Sequence, residues 1–274
     1  MGIRFLNRYI KQYGFKGIFT KPVSFLAGKK IVVDTSIFMY RFKSAGSLLK
    51  SMDALLRMFL QHRIIPLFVF DGPPRSNKKE LLKERQKMKQ EAWDTYKSAT
   101  DLSEHQIVRL KNTFTKVSKK DVEDVKELMD QLGISYLDAP HESDEVCASL
   151  VVNGKMYACM SDDMDMFMYG CPRVIRDVNV SEQTMVCYDT YSILKQLGFT
   201  LHEFKQIGVL SGSDYYKSSY TLYTVVSMFH AFKRTEHTDF YEWVNLHHSI
   251  EVDRLREAYH AFTPQLEQPS GSDD

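Results

Sequence analysis

Four short apolar runs, separated by helical patterns, constrain the fold of this chain more than any other feature. IVVD spans 31–34, IIPLFVFDG spans 64–72, ISYL spans 134–137 and MYACMS spans 156–161. Continuous apolar runs of this length suit parallel strands buried on both faces. Helical periodicity fills 48–62, 121–132 and 142–153. Strands alternating with helices predict an α/β fold with a mostly parallel central sheet flanked by helices and right-handed crossovers.

Residues 76–118 interrupt that rhythm. They are polar, lack a strand signal and are rich in helix formers, so two helices are expected at about 77–98 and 103–117, forming an insertion that projects from the sheet. Thirteen Lys and Arg stand against six Asp and Glu between residues 75 and 120. The net charge of +1 therefore hides a strongly basic segment. Beyond residue 188 the pattern is helical at 190–197, 201–210, 222–233 and 250–262, with Val252, Leu255, Tyr259 and Phe262 at inward-facing spacing. The tail 264–274 is polar and is expected to be disordered.

Composition narrows the class of molecule. No apolar run is long enough to span a bilayer, and the first residues, MGIRFLNRYIKQYG, have no secretory apolar core, so no membrane partner is expected. The four cysteines form no C-x-x-C pair, and reduced thiols suit them better than a zinc site.

The acids fall at telling places. Asp34 and Asp71 end the first two strands, Glu142 and Asp144 open the helix after the third, Asp163 and Asp165 follow the fourth, and Asp214 follows a later helix. In an open parallel sheet, ligands bind outside the carboxyl ends of the strands. Carboxylates gathered there repel one another and lose hydration unless cations fill the cleft. Oxygen-only donors favour Mg²⁺ or Mn²⁺ over zinc, and the natural chemistry is two-metal phosphodiester hydrolysis. Each acid also suits a local duty. Asp34 and Asp163 fit helix N-caps, Asp71-Gly72 a turn, Glu142 and Asp144 a helix first turn, and Asp214 a loop. Their conjunction at successive strand ends points to metal.

These motifs resemble the flap endonuclease family of XPG/Rad2-like nucleases. The matching segments are MGI at the start, VVDTSIFMY at 32–40, VFDGPP at 69–74, APHESDEVCASL at 139–150, YACMSDDMDMFMYG at 157–170 and LSGSDYY at 210–216. The resemblance implies a PIN/flap-endonuclease-like fold with a nuclease core over 1–215. A basic helical arch at about 76–120 would be inserted in it, and a helical DNA-binding region would follow over 216–263. It implies Asp34, Asp71, Glu142, Asp144, Asp163, Asp165 and Asp214 as ligands of two Mg²⁺ ions, with Mn²⁺ able to substitute. Asp144 stands where the family has Glu, and Asp162 ranks below the other acids.

The resemblance also assigns DNA contacts. Tyr40 matches the residue that stacks on the nucleotide near the cut, and Gly2 belongs to the N-terminal motif. Lys78 and Arg85, seven apart on the arch, match the pair that reaches the scissile phosphate, with Lys79 and Lys83 as rivals because this chain has one residue fewer after Gly72. The substrate implied is DNA that is branched or has a free 5′ end, cut by a monomer that carries no clamp-binding segment. A 5′ exonuclease or RNA-directed nuclease of the same fold is the alternative, and a non-catalytic scaffold the third. One departure stands out: Lys217–Tyr223 lacks the glycine-rich hairpin that would hold duplex phosphate with potassium. A divergent form of this kind suits a nuclear enzyme or the product of a large DNA virus.

Overall fold

A computed structural model of the 274-residue chain describes residues 3–73, 79–99 and 101–263, and the side chains of 79–82 fall outside that description. Among the described residues it is an α/β structure with seven strands, in hydrogen-bonded order β1-β7-β6-β5 and β2-β3-β4. Their bounds are β1 Ile18–Pro22, β2 Lys30–Asp34, β3 Ile65–Phe70, β4 Ser135–Asp138, β5 Ala158–Met160, β6 Arg173–Asn179 and β7 Thr184–Asp189. The four strands expected from the apolar runs are β2 to β5. The strands at 18–22, 173–179 and 184–189 are additional.

The chain packs as two units, one of Lys21–Ser143 with Asp177–Met185, the other of Met1–Thr20, Asp144–Arg176 and Val186–Asp274. In the first of these, β2 pairs with β3 and β3 with β4, all parallel. Ile31, Val32 and Val33 of β2 are fully buried, as expected of a strand covered on both faces. Burying each such side chain is worth about 1.5–3 kcal/mol. Helices α2 (Thr35–Ser44), α3 (Leu48–Gln61) and α6 (Lys119–Gln131) accompany these strands. Phe59 of α3 meets Phe68 of β3 with ring centroids 6.1 Å apart. The Asp34↔Val69 register brings the ends of β2 and β3 level, so Asp34 and Asp71 leave the sheet on the same side.

The insertion forms two helices, α4 (Lys79–Ser98) and α5 (Glu104–Phe114). Its own aromatic cluster joins them, with Trp93 4.9 Å and Tyr96 5.3 Å from Phe114. Ser103 and Gln106 close a capping box that starts α5, and α5 packs on α2. Ser118 and Asp121 form a second capping box at α6, where Asp121 also pairs with Lys43 of α2.

The other unit holds α1 (Leu6–Tyr13), α7 (Ser143–Val152), α8 (Asp165–Met168), α9 (Thr190–Leu197), α10 (Leu201–Leu210), α11 (Leu222–Phe232), α12 (Phe240–His248) and α13 (Val252–Ala261). β5 and β6 pair in parallel, Cys159 opposite Val174 and Met160 opposite Ile175. Rings of Phe229, Phe232, Phe240 and Trp243 pack α11 against α12. Val252, Leu255 and Phe262 are buried as their spacing predicts, and Tyr259 is half-buried with its hydroxyl 2.8 Å from His202 Nδ1. The four cysteines are free, three of them buried.

Candidate active site

Asp34 stands at the N-cap position of α2, yet its side chain makes no cap hydrogen bond. A cap duty is therefore not what holds it there. Its carboxylate is 3% exposed and accepts instead from Ser143 Oγ at 3.2 Å. Ser143 also donates its backbone N–H to Asp71 Oδ1 at 2.9 Å, and Ser36 Oγ donates to Asp71 Oδ2. One buried serine thus links two carboxylates that lie 37 positions apart in the chain. Gly72 permits this approach. Its N–H donates to the His141 carbonyl at 2.5 Å, and a Cβ on it would fall 2.1 Å from the Ala139 carbonyl oxygen. Asp71-Gly72 packs closely on the segment that follows β4 and is not a free turn. Glu142 immediately precedes Ser143 at the mouth of α7.

Of the aromatic and basic candidates in this unit, Tyr40 lies within electrostatic reach of Asp71 and Arg85. Tyr40 is 40% exposed, and Lys89 Nζ sits 5.3 Å over its ring. Burial pushes the Tyr40 hydroxyl above its usual range, the Asp71 charge adds to that, and Arg85 opposes it. Lys89 is held low by burial and by repulsion from Arg85 and Lys116. Lys89 and Arg85, one helical turn apart, therefore both act on Tyr40, and Lys116 acts on Lys89. Lys83 is exposed. Lys79 begins α4 but its side chain lies outside the described residues, as do Lys78 and Gly2.

In the other unit, Asp163 and Asp165 are joined directly. Asp165 N–H donates to Asp163 Oδ1 at 2.9 Å, and Asp163 N–H donates to Ser161 Oγ at 3.1 Å. Asp163 thus does perform the local turn-forming duty, although a carboxylate has further lone pairs to offer a cation. Asp165 is 6% exposed at the first turn of α8. Arg176 of β6 braces this loop, donating to the Asp162 carbonyl at 2.6 Å and to Asn7 Oδ1 at 3.0 Å. Asp162 acts here through its backbone. Asp144 lies in the first turn of α7 and acts electrostatically on Tyr169, whose hydroxyl is 3.3 Å from that of Tyr215, the neighbour of Asp214. Burial pushes the Tyr169 hydroxyl far up, with Tyr215, Asp144 and Glu145 contributing.

Among the described residues, no group of three or more His, Cys, Asp or Glu side chains stands in metal-holding geometry. The structure links Asp34 with Asp71, through Ser143, and Asp163 with Asp165. The donor chemistry fits hard divalent cations: oxygen ligands only, with Asp34 and Asp165 buried, Glu142, Asp144, Asp163 and Asp214 half-buried and Asp71 exposed. Sequence reasoning missed Ser36, Ser143 and Arg176, because a hydroxyl or a strand arginine carries no spacing signal. Lys89 was findable, four residues after Arg85 on one helix face.

Comparison with known proteins bears on this arrangement. A model of the XPG N-terminal domain matches residues 1–92, and one of the XPG I-region matches residues 133–214. The chain belongs to the XPG/Rad2-like family of flap endonucleases. Flap endonuclease 1 of Vanderwaltozyma polyspora is 31% identical over 234 residues, covering 78% of this chain and 62% of that protein. Flap endonuclease 1 of Homo sapiens is 30% identical over 237 residues, covering 80% and 62%. The chain therefore spans less than two thirds of these relatives' length. The catalytic core of Rad2 in complex with DNA substrate shares the fold, with a TM-score of 0.68 at 20% identity, over 96% of this chain and 86% of that one.

Within the family frame, the glycine-poor segment after Asp214 has a local solution. Gly212 alone takes a left-handed φ of 96°, and no residue from Ser213 to Tyr223 has a positive φ. Ser213 N–H donates to the Tyr216 carbonyl at 2.9 Å, and Ser218 Oγ accepts from Tyr220 N–H at 3.0 Å. Thr221 then caps α11. Hydroxyl side chains turn the chain where glycines are absent.

Proposed function

We propose that this chain is a structure-specific 5′ nuclease that hydrolyses phosphodiester bonds of flapped or branched DNA. The observation that carries the reading is Asp34: a buried carboxylate at a helix N-cap that does not cap and is tied through Ser143 to Asp71. Such an arrangement is unfavourable for folding alone and favourable for holding a cation.

Asp34, Asp71, Glu142, Asp144, Asp163, Asp165 and Asp214 are the proposed ligands of two Mg²⁺ ions, with Mn²⁺ as a substitute. When bound, divalent ions at such a site supply an activated water and stabilise charge on an in-line phosphoryl transition state. Ser143 and Ser36 keep the Asp34 and Asp71 oxygens in place, and Arg176 keeps the Asp162–Met164 backbone in place. Tyr40 offers a ring to the base beside the cut, once Lys89 moves from over it. Arg85, Lys89 and Lys116 neutralise backbone phosphate, with Lys78, Lys79 and Lys83 as further arch cations. The DNA would be read by backbone and stacking contacts rather than base edges. Residues 216–263 serve as a DNA-binding region, and the setting is the nucleus, where replication, repair and recombination generate branched strands. The chain works as a monomer.

The test is cleavage of a labelled 5′-flap duplex with Mg²⁺, with EDTA as control and Asp163→Ala alongside. Cutting that EDTA stops and Asp163→Ala abolishes is expected, leaving 5′-phosphate and 3′-hydroxyl ends. Undiminished cutting by Asp163→Ala contradicts the reading. The glycine-poor turn at Ser213–Tyr223 favours one variation, a nuclease with weaker grip on duplex. Matched RNA and 5′-recessed substrates in the same assay separate it.

A further inference from the structure

Before Asp34 the chain carries seven Lys and Arg and not one Asp or Glu, although acids and bases nearly balance over the whole sequence. At the end of α1 the chain reads Gly14-Phe15-Lys16-Gly17. Both glycines are buried against α9. A Cβ on Gly14 would stand 2.9 Å from Ile193 Cγ2, and one on Gly17 2.6 Å from Ile193 Cγ1. Lys16 N–H donates to Gln196 Oε1 at 2.8 Å, which fixes the backbone of the turn on the same helix. With its glycines and backbone facing α9, the turn sends its two side chains outward. Lys16 is exposed and Phe15 is 56% exposed.

The rest of α1 has the same character. Leu6, Tyr9 and Ile10 face inward, while Arg8 is exposed. At the head of the helix, Phe5 sits at a left-handed φ of 67° with its ring 48% exposed and the Arg4 guanidinium 5.8 Å over it. A phenylalanine at positive φ is strained, and strain of this kind points to function. Single exposed apolar residues are ordinary. Exposed rings interleaved with cations, in a stretch without one acid, are not.

We propose that α1 and the Gly14–Gly17 turn form a binding face for unpaired nucleic acid. Bases stack on Phe15 and Phe5, and Arg4, Arg8 and Lys16 neutralise phosphates. Aromatic rings with surrounding cations suit single strands because every base offers a π-face. The inference rests on the nuclease reading for the identity of its ligand, a strand of the branched substrate.

The test uses the full chain and a labelled 20-nucleotide oligothymidylate in EDTA, with binding followed by fluorescence anisotropy at several salt concentrations. Phe15→Ala is expected to weaken binding by about 5- to 150-fold, the range for loss of one stacked base, and Phe15→Trp to bind like the unaltered chain. Arg8→Glu with Lys16→Glu is expected to flatten the salt dependence by about 0.7 for each phosphate left without its cation. Tyr191→Ala removes a ring that is 72% exposed on α9. Two residues from Ile193, it points to the other side of that helix and is expected to change nothing. Melting curves check that each variant folds, and Phe15→Leu keeps the apolar bulk without the ring and should bind as poorly as Phe15→Ala. Unchanged oligothymidylate affinity in Phe15→Ala, or equal loss in Tyr191→Ala, would overturn the proposal. Flap cleavage by the unaltered chain is measured separately. Its absence counts against the nuclease reading, whereas intact cleavage with unaltered oligothymidylate binding by the variants counts against this face alone.

Discussion

At the scale of single residues, charge and hydrogen bonding make different demands on the same carboxylates. Asp34→Asn keeps the size of the side chain and an oxygen for Ser143 Oγ to donate to, but removes the charge. Flap cleavage should fall by more than about a hundredfold, beyond the loss typical of outer-shell partners. Melting temperature should not fall, since the substitution removes a buried charge that lies near Asp71. Ser143→Ala removes one donor to Asp34 while its backbone N–H still serves Asp71. Cleavage should drop by about tenfold or less, with the Mg²⁺ concentration for half-maximal rate shifted upward. A larger loss in Ser143→Ala than in Asp34→Asn would reverse the assigned roles. The acids were legible in the sequence because their recurrence at strand ends is distinctive. Ser143, Ser36 and Arg176 were not, since only the fold reveals which donor meets which carboxylate.

At the scale of elements, the arch helices are joined by their own rings, and an ion pair joins two helices that accompany the strands. Trp93 packs on Phe114 and near Tyr96, joining α4 to α5. Trp93→Ala should cost about 1–3 kcal/mol of local stability, less than for a fully buried tryptophan, and should raise hydrogen exchange in α4 and α5 before the strands. Lys43 and Asp121 tie α2 to α6. Burial pushes the Asp121 carboxyl up, but hydrogen bonds from Lys43 and Ser118 outweigh it and bring it down to about 2. A depressed carboxylate stabilises the fold above its ordinary value and ceases to do so as pH falls through the depressed one. Lys43→Met should therefore be less stable than the parent at pH 7 in urea unfolding, and the gap should close between about pH 4 and pH 2. A gap that persists at pH 2 contradicts the ion-pair account. Strands β2 to β5 were legible because strands buried on both faces leave continuous apolar runs. β6 and β7 were not, because Arg176 and Asp177 break β6, and β7 carries Thr184 and Asp189 at its ends. Helix α12 was missed because its WVNLHH stretch mixes apolar and polar residues without a clear stripe.

At the scale of the whole molecule, a near-neutral chain carries a basic insertion and an acid-free N-terminal segment alongside the carboxylates proposed as metal ligands. Affinity for DNA should accordingly fall steeply with salt despite a net charge of +1. The central claim is that carboxylates from Asp34 to Asp214 serve divalent ions when branched DNA is bound. It is tested most directly by counting Mn²⁺ bound per chain, by electron paramagnetic resonance, on an uncleavable 5′-flap duplex. Two ions are predicted for the unaltered chain, with occupancy lost in the Asp34→Ala, Asp163→Ala double variant. Equal Mn²⁺ occupancy in the two proteins, or none in either, would contradict it.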